Sequence, residues 1–208
     1  MSVHFAKPVR ELIEEFEKLP GIGPKSAARL AYYFLNAPEH RAIRLAEQLL
    51  YVKKMIVHCS VCFNLTDKQI CDICADDLRS ENQICVIEEP LDLIAIENSN
   101  IYHGKYHVLG GVISPISGIG PEDIRIDQLR KRLNELSLKQ FQEIEIIIAT
   151  NPTLEGEGTA YFIFEYIKDI PRVFISRIGR GLPTGANIEY ADNITLRNSL
   201  ENRKIIPR

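Results

Sequence analysis

Four cysteines within a short stretch set the tightest limit on how this chain can fold. Cys59-Ser60-Val61-Cys62, eight residues, then Cys71-Asp72-Ile73-Cys74 form two C-x-x-C knuckles. Each knuckle presents two thiolates to one ion, and four thiolates complete a tetrahedral zinc shell with no open coordination position. The expected site is therefore structural rather than catalytic, holding one Zn2+ per chain. Segment 58–79 has few large apolar side chains and needs a staple of this kind to fold. His58 stands beside a complete ligand set and is read as a neighbour. The fifth cysteine, Cys85, lies in an apolar run where burial would make it inert.

Composition closes off other classes. At 208 residues with 45% hydrophobic and 25% charged side chains, the chain is neither disordered nor a coiled coil, and it is long enough to bury a sizeable core. No run approaches the roughly 18 uncharged apolar residues of a membrane helix, and the N-terminus lacks a basic segment followed by an apolar run. A cytoplasmic protein with no membrane contact is expected. The net charge of −3 excludes indiscriminate coating of nucleic acid, so any such binding must be local. Residues 1–57 carry nine basic and six acidic side chains and hold the positive balance.

Residues 1–57 read as helices separated by turns. Pro8 suits a first helical turn, and Leu12, Ile13, Phe16 and Leu19 recur at helical spacing until Pro20 and Gly21 stop the helix. Pro24 opens a second helix that ends near Asn36, ahead of Pro38. A third, over 39–56, is expected to pack Ile43, Leu45, Leu49, Leu50 and Val52. Between the first two, Leu19-Pro20-Gly21-Ile22-Gly23-Pro24-Lys25-Ser26-Ala27 matches the helix-hairpin-helix pattern. Gly21 and Gly23 let the turn approach a phosphate, and the following helix start aims free N–H groups at it. Lys25 and Arg29, four apart on one face, would reach the DNA backbone. Tyr32, Tyr33 and Phe34 point in different directions and are read as core.

From Gln83 onward, short apolar runs at 84–87, 106–109, 144–149 and 172–176 alternate with helical stretches at 90–97, 126–138, 158–168 and 193–201. That alternation predicts an α/β domain with a parallel sheet and crossover helices. Gly118-Ile119-Gly120-Pro121 imitates the hairpin motif but has no helix before it, so a loop is expected. His103 and His107 lack metal-ligand partners at matching spacing. Cys85-Val86-Ile87-Glu88-Glu89-Pro90-Leu91-Asp92 puts Glu88 at a strand's C-terminal end, where open α/β sheets place their sites. Ala149-Thr150-Asn151-Pro152-Thr153-Leu154-Glu155-Gly156-Glu157-Gly158 follows a second strand. Together these segments resemble the Toprim domain of primases and topoisomerases, in which a glutamate and an Asp-x-Asp pair hold magnesium for phosphoryl chemistry. Asn151 and Thr153 occupy the two aspartate positions, and two anionic ligands are thereby replaced by neutral ones. The alternative reading, a small magnesium-dependent nuclease or primase-like enzyme, turns on those two residues.

Taken in order, the hairpin motif, the cysteine knuckles and the altered Toprim segments resemble the bacterial recombination mediator family RecR over essentially the whole chain. Leu109-Gly110-Gly111-Val112-Ile113-Ser114-Pro115 and Gly181-Leu182-Pro183-Thr184-Gly185 with Glu189-Tyr190-Ala191-Asp192 add to the likeness. Ile178-Gly179-Arg180 departs from the family's usual Leu-Ala-Tyr. The resemblance implies a non-enzymatic protein that assembles into tetrameric rings around single- or double-stranded DNA. It also implies work with RecO and RecF to load recombinase at single-stranded gaps. Four regions are expected: a helix-hairpin-helix at 1–57, a zinc finger at 58–79, a Toprim-like domain at 80–176 and an oligomerisation segment at 177–208. Glu88, Glu155 and Glu157 are expected to form an acidic cluster that docks a basic partner surface, RecO being the family's candidate.

Overall fold

In the computed structural model, which describes residues 5–139 and 142–205, the chain divides into two units, Met1–Ile56 and Val57–Arg208. The first consists of α1 (Lys7–Glu17), α2 (Pro24–Asn36) and α3 (Glu39–Met55). Ala27 and Ala31, without exposed surface, let α2 lie close against Ile13 of α1, and Val9, Leu12, Phe16 and Ile22 close around them. α3 departs from expectation. None of its residues is buried, and Ile43, Leu45, Leu49, Leu50 and Val52 are all exposed, Leu50 at 72%. A three-helix unit whose small core is completed by α1 and α2 has no apolar surface left to cover the third helix. Tyr32 and Tyr33 are likewise about half exposed, whereas Phe34 stacks on Phe16.

The second unit opens with the antiparallel pair β1 (Val57–His58) and β2 (Leu65–Thr66), followed by the single turn α4 (Asp72–Ala75). A four-stranded sheet follows: β3 (Ser80–Ile87), β4 (Gly104–Val108), β5 (Ile144–Ile148) and β6 (Val173–Arg177), all parallel, in the order β4-β3-β5-β6. α5 (Pro90–Asn98), α6 (Ile126–Lys139) and α7 (Leu154–Ile167) make the crossovers, and α8 (Asn193–Glu201) comes last. Side chains alternate across β3. Ile84 and Val86 enter a core with Leu129, Leu133, Ile146 and Ile163, while Cys85 and Ile87 face a second core with Leu93, Tyr106 and Val108. Phe63 and Ile73 of the cysteine segment pack on this second core, so the finger and the sheet share one unit.

The expected strands and helices are present, and residues 118–120 form a loop between two 3-10 turns, the second of which opens with Pro121. α7 begins at Leu154, earlier than the expected 158, because the Thr153 hydroxyl accepts a hydrogen bond from Gly156 N (3.0 Å) and caps it. Gly156 there is a packing requirement. A Cβ on it would lie 2.1 Å from the Asn151 carbonyl oxygen.

Candidate functional site

The metal centre is built by two turns of chain brought face to face. β1 and β2 pair His58 with Leu65, and Cys59 N donates to Asn64 O (2.8 Å), closing the first knuckle. Phe63 takes φ +63° at the corner, a left-handed conformation that glycine usually fills. Cys71 leads into α4, which carries Cys74. The four Sγ atoms lie within 4.8 Å of one another, and Cys62 Sγ and Cys71 Sγ are 3.5 Å apart. A tetrahedron with Zn–S bonds near 2.3 Å has edges of about 3.8 Å, so the residues fit one zinc ion. Burial works to raise the Cys59 thiol, but N–H groups of Cys62, Cys71 and Val61 outweigh it and bring it down to about 6. His58 is exposed and bonds Phe63 O (3.1 Å), outside the ligand set.

The sheet grips this finger. Val108 N donates to Cys62 O (2.8 Å). The Lys105 ammonium, on a residue only 5% exposed, donates to the carbonyls of Ile73 (3.1 Å), Cys74 (3.1 Å) and Asp76 (2.7 Å). Arg132 of α6 donates to Tyr106 O (2.6 Å), and it shares a cavity of about 190 Å³ with Cys74 and Lys105. Burial pulls its guanidinium below the usual range, opposed by the thiols of Cys74, Cys62 and Cys59. His107, fully buried, bonds Arg125 O through Nε2 (2.8 Å) and meets the Phe63 ring edge-on. Burial lowers it to about 3, so it stays neutral. Lys105 and Arg132 lay outside the expected site. No local sequence signal marks either, since their partners lie 26 to 32 positions away.

In the first unit Gly21 adopts φ +79° with nothing within 4 Å of where a Cβ would lie, so the turn itself, not packing, requires glycine. Gly23 heads α2 with no side-chain cap. Lys25 and Arg29 are exposed on α2, and among the described residues neither has an ion-pair partner. The cations of α1 and its following turn are instead matched locally, as in Lys7–Glu11, Arg10–Glu14 and Lys18–Glu15.

The C-terminal ends of β3 and β5, adjacent in the sheet, bring Glu88 to Asn151. Glu88 Oε1 accepts from Asn151 N (2.8 Å) and Oε2 from Asn151 Nδ2 (2.6 Å). Glu157 accepts from Arg177 (2.8 Å) and pairs with Arg180 (2.7 Å). Glu155 is half-buried nearby in α7. Among the described residues these three carboxylates do not form a group with oxygens within 4.8 Å of one another. They lie around one end of the sheet, each with a different neighbourhood. Arg177 and Arg180, which set the charge around Glu157, were also outside the expected site. Cys85 is buried as expected, and burial raises its thiol to about 12.

A four-thiolate finger seated on a Toprim-like sheet, in a chain that also carries a helix-hairpin-helix, defines a zinc-binding protein of the nucleic-acid-processing kind. Residues 82–179 match the Toprim domain family, 9–52 the RecR helix-hairpin-helix, 56–76 the RecR four-cysteine zinc finger domain and 181–204 the RecR C-terminal family. The chain is 48% identical over 201 residues to the recombination protein RecR of Heliobacterium modesticaldum, covering 97% of this chain and 98% of that one. The recombination protein RecR of Pelotomaculum thermopropionicum is 49% identical over the same coverage. The chain belongs to the RecR family of recombination proteins, and its four cysteines are a zinc site.

Proposed function

We propose that this protein is a non-enzymatic, cytoplasmic DNA-binding mediator that acts with RecO and RecF and helps load recombinase at single-stranded gaps. The observation that carries the non-enzymatic reading is the Glu88–Asn151 pair. Both oxygens of the carboxylate that a Toprim enzyme would turn to magnesium accept hydrogen bonds from one neutral residue. Thr153, at the other aspartate position, spends its hydroxyl on the start of α7. Neither supplies the charge a hard cation requires.

DNA binding is assigned to Gly21, Gly23, Lys25 and Arg29, in support of which stand the open helix start and the two unpaired cations. The exposed apolar face of α3 and the exposed Ile188, Tyr190, Ile194 and Leu200 of the C-terminal segment 177–208 support assembly into a closed oligomer, a tetrameric ring by family likeness. Several copies of a weak hairpin contact then act together on one DNA. Glu88, Glu155 and Glu157 are assigned to a partner surface, with RecO as the partner.

The test is a band-shift titration against single-stranded, duplex and gapped DNA with and without Mg2+. Replacing Lys25 and Arg29 by Ala should weaken binding to every sequence alike and flatten the salt slope by about 0.9 per lost duplex phosphate contact. An unchanged slope would place the DNA surface elsewhere. Magnesium-dependent cleavage or synthesis abolished by Glu88→Gln would restore the enzyme reading.

A further inference from the structure

A cation that leaves water needs a counter-charge, and among the described residues two cations beside the finger have no carboxylate within ion-pair distance, although Glu81 and Glu135 line the same cavity. Lys105 is 5% exposed, and its ammonium donates to the carbonyls of Ile73, Cys74 and Asp76. Arg132, half-buried, gives Nη1 to Tyr106 O. Among the described residues no ion pair joins either one to Asp or Glu, whereas the half-buried Arg79, Arg130 and Arg177 each have a carboxylate partner and half-buried Arg125 has the Leu109 carbonyl and the Phe63 ring. Charges drawn this far out of water call for a counter-charge nearby. Four thiolates around Zn2+ carry two net negative charges.

We propose that Lys105 and Arg132 are the counter-cations of the zinc–thiolate centre, so that two positive charges borne by the sheet and α6 set the metal affinity of the finger. The match is one of charge and of place. The Lys105 ammonium binds the carbonyl of the ligand residue Cys74 and of its neighbour Ile73, which fixes the second knuckle, while Arg132 and Cys74 line the same cavity. Outer residues of this kind hold ligands in position and tune the metal, and losing one typically weakens binding about 10- to 100-fold. In this protein they also make zinc occupancy a condition for the stability of β4 and α6. The thiolates that the ion holds deprotonated in the finger offset charges borne by the sheet and α6.

The experiment uses the full-length protein loaded with Co2+ in place of Zn2+, with the thiolate-to-cobalt absorption band reporting occupancy in competition with a chromophoric chelator. Arg132→Gln keeps a donor for Tyr106 O and removes the charge, whereas Arg132→Lys keeps both. The Gln variant should bind the metal at least about tenfold more weakly than wild type, and the Lys variant should stay within about threefold. Equal affinity of Arg132→Gln and wild type, or equal weakening by Gln and Lys, would overturn the proposal. Lys105→Gln against Lys105→Arg is read in the same way should Arg132→Gln not accumulate as folded protein. In the wild-type protein, zinc removal under reducing conditions should speed amide hydrogen exchange at Tyr106, His107 and Val108 as well as in the finger. Unchanged exchange there would also overturn it.

Discussion

Replacing Asn151 by Asp turns the neutral partner of Glu88 into a second carboxylate at the same place. The side-chain contact is 2.6 Å, and at an effective dielectric constant of about 20 two unit charges at that spacing repel by ~6 kcal/mol. The pair has a cheaper course, which is to hold one proton between the two carboxyl groups. Keeping a carboxyl protonated at pH 7 costs about 1.4 kcal/mol for each pH unit above its ordinary value near 4, or ~4 kcal/mol. Proton uptake therefore wins, and it also restores an O–H donor where the amide had been. The sign follows: a carboxyl whose affinity for protons is higher in the folded state destabilises progressively as pH rises. Asn151→Asp should thus lose ~4 kcal/mol at pH 7 and ~1.4 kcal/mol at pH 5. For a chain of this size that is a fall in Tm of about 8–16 °C at pH 7 against about 3–6 °C at pH 5. Millimolar Mg2+ should recover part of the loss at pH 7 by taking the proton's place. Thermal melts monitored by circular dichroism at both pH values, with and without Mg2+, make the measurement. Equal shifts at pH 5 and 7, or none, would refute the claim that the Asn151 amide neutralises this end of the sheet.

Other expected outcomes are more local. Cys62→Ser should release zinc and unfold the finger, since thiolate coordination in small zinc modules contributes on the order of 10–16 kcal/mol at neutral pH, and elemental analysis still finding one zinc per chain would contradict it. Gly156→Ala should destabilise by about 3 kcal/mol or more in urea unfolding, because its Cβ would meet the Asn151 carbonyl at 2.1 Å and Glu88 Oε1 at 2.8 Å, with backbone on one side unable to yield. Burial opposes ionisation of Glu97, but hydrogen bonds from Arg79 and Tyr106 and the charge of Arg79 lower its pKa. Its contribution should be complete above about pH 5 and lost as the pH falls through the depressed value, and Glu97→Gln should cost about 1–3 kcal/mol at pH 7 and less in acid.

Much of this architecture was legible in the chain because local signals agree with the tertiary result. Four apolar runs marked the four strands, Pro24 marked the start of α2, and the cysteine spacing alone located the zinc site. The errors have physical causes. α3 has the apolar residues of a packed helix, and sequence periodicity cannot distinguish a face buried within the chain from one left exposed by a small unit. The helix expected from 158 starts at Leu154, because Thr153 caps it earlier and Gly156 allows close approach to the Asn151 backbone. Lys105 and Arg132 were missed for a different reason. Their significance lies in contacts across 26 to 32 positions of sequence, which no local pattern encodes.

The way the finger is seated also decides what can attach to the sheet. β4 is an edge strand, and an edge strand offers unpaired N–H and C=O groups on which another chain can template a strand of its own. Here Val108 N is taken by Cys62 O and Tyr106 O by Arg132, so the outer row of β4 is occupied by a knuckle and a guanidinium. Those two groups are closed to a strand from another copy of this protein. Chelation strips away the first of those covers. Zinc-depleted protein should consequently be more prone to strand-to-strand aggregation than the zinc-loaded form.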